Sequence, residues 1–215
     1  MALTGRYTWW AAALSVLLAF ALWHTTFMVR PFNFWLTMAF NTALLSAVSF
    51  ASGKIPWQKG EWSLRNTGIG ILAAIALYGV FWLGHEVLIL ANTYAGLLPR
   101  RAENLNAIYA SRAELPQYLI AILLFFPIGF GEEIYWRGFI QRLFQARWGK
   151  GAALLLTVVL YTGVHLSTGN PVLILAAFIC GAYWSGLYWY TGSLVPVLVS
   201  HMLWDPFIFI IAPIK

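Results

Sequence analysis

The chain has 215 residues, of which 61% are hydrophobic and 17% aromatic, while only 9% are charged. A soluble domain carries about 25% charged residues, so these 215 residues leave room for one membrane-embedded helix bundle and no separate soluble domain. The formal net charge of +6 does not point to nucleic acid, because the basic residues sit at the ends of apolar segments, where topology and anionic headgroups account for them.

Seven segments are apolar enough to cross a bilayer: 8–29, 32–51, 67–90, 117–140, 151–167, 171–190 and 194–213. A crossing takes about twenty residues. The sequence therefore predicts an all-α polytopic transmembrane bundle, a single integral-membrane domain over 1–215. It has seven membrane-spanning helices, or eight if the mixed connection 91–116 enters the membrane. Arg6, an apolar run and Ala19-Phe20-Ala21 imitate a cleavable signal peptide. The run continues through Leu22, Trp23, Phe27, Met28 and Val29, which reads as a retained first helix.

The turns Ser167-Thr168-Gly169-Asn170-Pro171 and Gly192-Ser193 are too short for anything but antiparallel hairpins. Gly181/Ser185 and Ala182/Gly186 are small residues four apart, a pattern that lets helices approach closely. The lone cysteine, Cys180, excludes an internal disulfide and reads as a small buried hydrophobe. With a cytoplasmic N-terminus, Arg6, Lys54, Lys59, Arg65, Arg142, Arg147 and Lys150 lie inside, against Arg30, Arg100, Arg101, Arg112 and Lys215 outside. That bias fits a multi-pass protein of a prokaryotic cytoplasmic membrane.

Polar residues inside the apolar segments carry the functional information. Of seven acids, Glu61, Glu103 and Glu114 fall in connections, whereas Glu86, Glu132, Glu133 and Asp205 lie within spans, as do His24, His85, His165 and His201. An ionisable residue in hydrocarbon is costly and marks a functional site by default. Glu133 and Arg137 are four apart and form a same-face ion pair; Glu132 points about 100° away on the helix. His201 and Asp205 repeat the spacing, as do Tyr161 and His165. At about 1.5 Å per residue, Glu132 lies about 16 Å deep, His165 about 21 Å and His201 about 10 Å, so one cavity can hold all three.

Two chemistries suit such a set. A desolvated glutamate can serve as general base with a histidine sharing the water. Alternatively, His165, His201 and Glu132 are a plausible zinc set with one open position. His85-Glu86 is no zincin motif, since Ile89 stands where the second histidine is needed, and reads as an internal pair or a cavity lining. Trp136 and Trp204 flank the motifs and are expected to line the cavity.

In Glu132-Glu133-x-x-x-Arg137, Tyr161-x-x-x-His165 and His201-x-x-x-Asp205, taken in that order, the chain resembles the CAAX prenyl endopeptidase and bacteriocin-processing (Abi) family of intramembrane proteases. The resemblance covers about residues 117–210. It implies proteolysis within the membrane, with Glu132 as catalytic base and His165 as its partner. His201 and Asp205 would complete the site, and Glu133 with Arg137 would hold its shape. The implied mechanism is a glutamate-activated water, with zinc as the other route. Tyrosine stands at 161 for the usual phenylalanine, a mild departure. Aspartate at 205 replaces a common asparagine and, when ionised, cannot donate to an oxyanion, which favours orientation of His201 or metal binding. The implied partner is a membrane-tethered protein or peptide: a prenylated tail, a bacteriocin leader or a C-terminal sorting segment. The competing readings are a non-enzymatic bacteriocin-immunity or scaffold protein, and a proton-coupled transporter.

Overall fold

Apolar helix follows apolar helix along the computed structural model, which describes residues 6–51 and 57–214; Lys54 and Lys215 of the charge count lie outside it. The first pass, α1 (Arg6–His24), runs into a wider π turn at Thr25–Val29. It returns as α2 (Phe34–Ala51), and Asn41 on α2 ties the two by donating to Leu22 O and Thr26 Oγ1 at 3.1 and 2.8 Å. Helix α3 (Leu64–Ala95) starts at Ser63, whose hydroxyl accepts from Asn66 N, and is long enough to cross with residues to spare.

The connection that could have added an eighth crossing instead holds a short polar helix, α4 (Arg101–Ala110), with no buried residue. Ten residues rise only about 15 Å, half a hydrocarbon core, so α4 cannot span.

The next apolar stretch, 117–168, is 52 residues long and does not form one rod. It begins as α5 (Gln117–Leu123) and breaks at Phe126, whose φ of −152° and ψ of 125° are extended. Pro127 explains the break, because a proline pushes its predecessor out of the helical region. The helix restarts as α6 (Phe130–Tyr135), widens through Trp136–Gln141, and continues as α7 (Arg142–His165). Within α7 the chain reverses at Gly149, where φ is 80° and ψ 170°, a conformation that side-chain-bearing residues rarely adopt. The arm after Gly149 folds back on the arm before it, which brings Tyr161 beside Glu132 and Trp136.

Helix α8 (Pro171–Thr191) is capped by Asn170, which accepts from Val172 N and Leu173 N, with Pro171 at its first position. Helix α9 (Val195–Pro206) runs on through Phe207–Ile211 and is shorter than a full crossing. Glu61 caps it from outside, Oε2 accepting from Ser193 Oγ and Leu194 N at 2.7 Å each. Five described helices are long and apolar enough to cross a membrane. Leu14, Leu17, Phe40, Leu72 and Val159 point outward and exposed. The bundle thus presents hydrocarbon to its surroundings and keeps its polar side chains inside, as a membrane protein must.

The α3–α9 seam depends on Gly70. A methyl group there would fall 2.6 Å from Val199 Cβ and 2.8 Å from Pro196 O. Because the second neighbour is backbone, it cannot swing away. G70A should therefore destabilise the protein in detergent by about 1–3 kcal/mol, the usual cost of overpacking. An unchanged thermal midpoint would show that the two helices can part without penalty.

Candidate active site

All three motifs converge inside this bundle. Glu132, Glu133, Arg137, His165, His201 and Asp205 are all buried, Glu133 and Arg137 completely. Helix α6 supplies both glutamates. Glu133 Oε1 accepts from Arg137 Nη1 at 2.8 Å, so the i, i+4 pair forms. Arg137 also donates through Nη2 to Gly181 O at 3.1 Å, and its guanidinium lies 4.8 Å from the Tyr161 ring and 5.7 Å from the Trp184 ring. Close approach of α8 at Gly181 permits this. A side chain there would press on Tyr161 at 3.0 Å.

His201 shares the cavity with Glu132 and His165 but bonds the other glutamate of the pair. Its Nδ1 lies 2.7 Å from Glu133 Oε1, and its Nε2 lies 3.1 Å from Asp205 Oδ2. Both bonds exist together only if the ring carries two N–H groups or one carboxyl keeps its proton. The ring stacks on Trp184 with centroids 3.7 Å apart and planes 17° apart. Glu133, Arg137, His201 and Asp205 thus form one chain of charge-assisted contacts across α6 and α9, and Asp205 acts on His201 from the next turn.

Glu132 is left out of that chain. Its Oε2 accepts from the Tyr161 hydroxyl at 2.9 Å, so the substitution that looked mild in the sequence supplies the only hydrogen-bond donor seen on this carboxylate among the described residues. His165 sits one turn beyond Tyr161. The Trp23 indole can only donate, so His165 Nε2 accepts from it at 3.2 Å. Nδ1 therefore carries the hydrogen and donates to Tyr161 O at 2.7 Å. Trp23 comes from α1, well outside the motif-bearing region, and nothing in its sequence context marks it.

Both nitrogens of His165 and both of His201 are engaged by protein partners. Among the described residues no three histidine, cysteine, aspartate or glutamate side chains group as a metal set.

A cavity of about 520 Å³ opens onto the site. Glu132, Tyr161, His165, His201 and Asp205 line it, together with Cys180 and Trp204. Trp136 does not. It is fully buried behind the site, edge-on to Trp23 and Tyr161. His85, Arg101 and Tyr109 also line the cavity, so His85 belongs to its wall. Burial pushes the Tyr109 phenol above its ordinary value, and it donates to Ile208 O at 3.3 Å.

The fold and the site together define an integral membrane protein with a buried acid–imidazole centre reached through a largely apolar cavity. Residues 114–207, the stretch that holds all three motifs, match the type II CAAX prenyl endopeptidase Rce1-like family, in keeping with the resemblance read from the motifs. The chain is also 30% identical over 165 residues to an apolipoprotein N-acyltransferase of Rhodopseudomonas palustris. That alignment covers 75% of this chain but only 26% of the relative. No solved structure matches.

Proposed function

We propose that the protein is an intramembrane endopeptidase that hydrolyses a peptide bond beside a membrane-embedded or lipidated segment, with water activated by Glu132. The observation that carries this reading is the division of labour within the glutamate pair. Glu133 is committed to Arg137 and His201, whereas Glu132 lines the cavity and forms no ion pair among the described residues. Glu132 would take a proton from water as the water oxygen attacks the carbonyl carbon. It would return that proton to the departing amine as the carbon–nitrogen bond breaks. The His165 Nε2 lone pair, occupied by the Trp23 indole in this structure, would be offered to the water once that bond yields. His201 and Asp205 keep Glu133 in place and line the floor beside the carbonyl.

With a cytoplasmic N-terminus, the α4 end of the cavity lies toward the outer side of the membrane. Bacteriocin leaders and C-terminal sorting segments suit that side, and a prenylated tail is the third candidate substrate. The test is direct. Purified protein in nanodiscs is given a membrane-tethered peptide, and products are read by mass spectrometry. Cleavage lost on Glu132 replacement supports the reading; no cleavage by the unaltered protein of any of the three peptide types sinks it.

Tyr161 offers a finer check. Y161F keeps the ring that packs on Trp136 and Arg137 but removes the donor to Glu132. A hydrogen bond to a charged group is worth about 1.5–3 kcal/mol, so kcat should fall roughly 10- to 100-fold with KM little changed. Unaltered kcat would mean the hydroxyl does not position the base.

A further inference from the structure

Glu132 and Asp205 line the cavity, yet the same cavity also carries cations. Two arginines line it, Arg30 and Arg101. Arg30 is already occupied: its Nη1 lies 3.9 Å from Glu114 Oε1, its Nε donates to Phe27 O, and its guanidinium rests on the Phe34 ring. Arg101 has no carboxylate within ion-pair distance among the described residues. Its Nη1 bonds His85 Nδ1 at 3.1 Å, and since arginine only donates, the imidazole nitrogen accepts. A guanidinium has five N–H groups, and this contact uses one of them.

The position of Arg101 is fixed from two sides. Helix α4 begins there and is joined to α3 by the Arg101–His85 bond. It is joined to the turn before α8 by Asn170 Nδ2 donating to Asn104 O at 2.8 Å. On α3, His85 stands one turn beyond Phe81, whose ring packs against Trp204 beside Asp205. Arg101 is thereby linked to the site through His85, Phe81 and Trp204, along an apolar wall of the same cavity. Phe81, Leu105, Ile108 and Ala176 contribute to that wall.

We infer that Arg101 binds the terminal carboxylate of the peptide substrate. This rests on the endopeptidase reading. A peptide end inserted with its carboxylate at Arg101 suits the lining of the cavity: a guanidinium fork, apolar side chains, and Glu132 to meet a backbone carbonyl. The opposite polarity would bring an ammonium against the guanidinium. Guanidinium and carboxylate pair through two parallel N–H···O bonds, a geometry that gives direction as well as affinity. The residue lies outside the 114–207 stretch that matches the family, so it sets a preference belonging to this chain.

The experiment measures binding and cleavage separately. A fluorescent apolar peptide with a free C-terminal carboxylate and its C-terminal amide are titrated into E132Q protein in phosphatidylcholine nanodiscs, so that turnover does not interfere. The acid should bind at least about tenfold tighter than the amide, one step of 1.4 kcal/mol. Adding R101Q should erase that ratio, and R101K should retain part of it because the charge survives without the fork. Equal binding of acid and amide overturns the inference, as does a preference that persists in R101Q. If R101Q instead removes only a response to added phosphatidylglycerol, Arg101 is a headgroup site and the inference also fails. Cleavage of both peptides by wild-type protein is scored in parallel. Its absence would strike the endopeptidase reading alone, since an acid-over-amide preference that depends on Arg101 can be seen without turnover.

Discussion

Replacing Glu132 with glutamine should leave a folded protein that cleaves a membrane-tethered peptide about 10²–10⁴-fold more slowly, the range a single general base supplies. Glutamine keeps the length of the side chain, and its carbonyl oxygen can still accept from Tyr161. What it cannot do is take a proton from water. Because Glu132 makes no ion pair with Arg137 or His201, its loss should not disturb the network that holds α6 to α9. The contrast with E133Q sharpens the test. That change weakens both the Arg137 and the His201 contacts, so it should lower stability as well as activity. Initial rates and thermal midpoints measured on both variants separate the two roles. If E132Q cleaves as fast as wild type, or if E132Q and E133Q lose stability equally, the assignment of Glu132 as the base is wrong.

Much of this site was legible because hydrocarbon tolerates few ionisable groups. The concentration of Glu132, Glu133, His165, His201 and Asp205 in apolar segments could be read directly, and the i, i+4 rule gave Glu133–Arg137 and His201–Asp205. Contacts across helices could not be read. Spacing on one helix says nothing about which of two adjacent carboxylates meets a ring on another. His201 accordingly turned out to lie on Glu133, with Glu132 held by Tyr161. Trp23 on His165 escaped for the same reason.

The fold followed a similar division. Length and hydropathy located the apolar segments, and the short turns at Asn170 and Gly192 placed α7, α8 and α9 side by side. The sequence carried the proline behind the break at Phe126, but apolar continuity on both sides masked it. The reversal at Gly149 falls in the connection that the sequence places between segments 117–140 and 151–167, although Arg142, Arg147 and Trp148 stay helical almost up to the turn.

Replacing Arg137 with methionine should cost about 3–5 kcal/mol of stability, the largest loss expected of any substitution in the site. The residue is fully buried, so its removal strands the Glu133 carboxylate in a low-dielectric interior. Gly181 O loses a donor as well, and the stacked surface on Tyr161 and Trp184 is gone. His201 remains on Glu133 Oε1 and offsets part of the cost. The double variant E133Q/R137M should recover some of the loss, because two neutral side chains leave no isolated charge. R137K should fall between wild type and R137M: it restores the charge but not the planar fork that reaches Glu133 and Gly181 together. Thermal or denaturant unfolding in one detergent, read by tryptophan fluorescence, orders the four proteins. A double variant less stable than R137M would mean that Glu133 is held by something other than charge compensation. An R137M protein as stable as wild type would mean that the pair is not what keeps Glu133 committed, and the reason for assigning Glu132 alone to water would go with it.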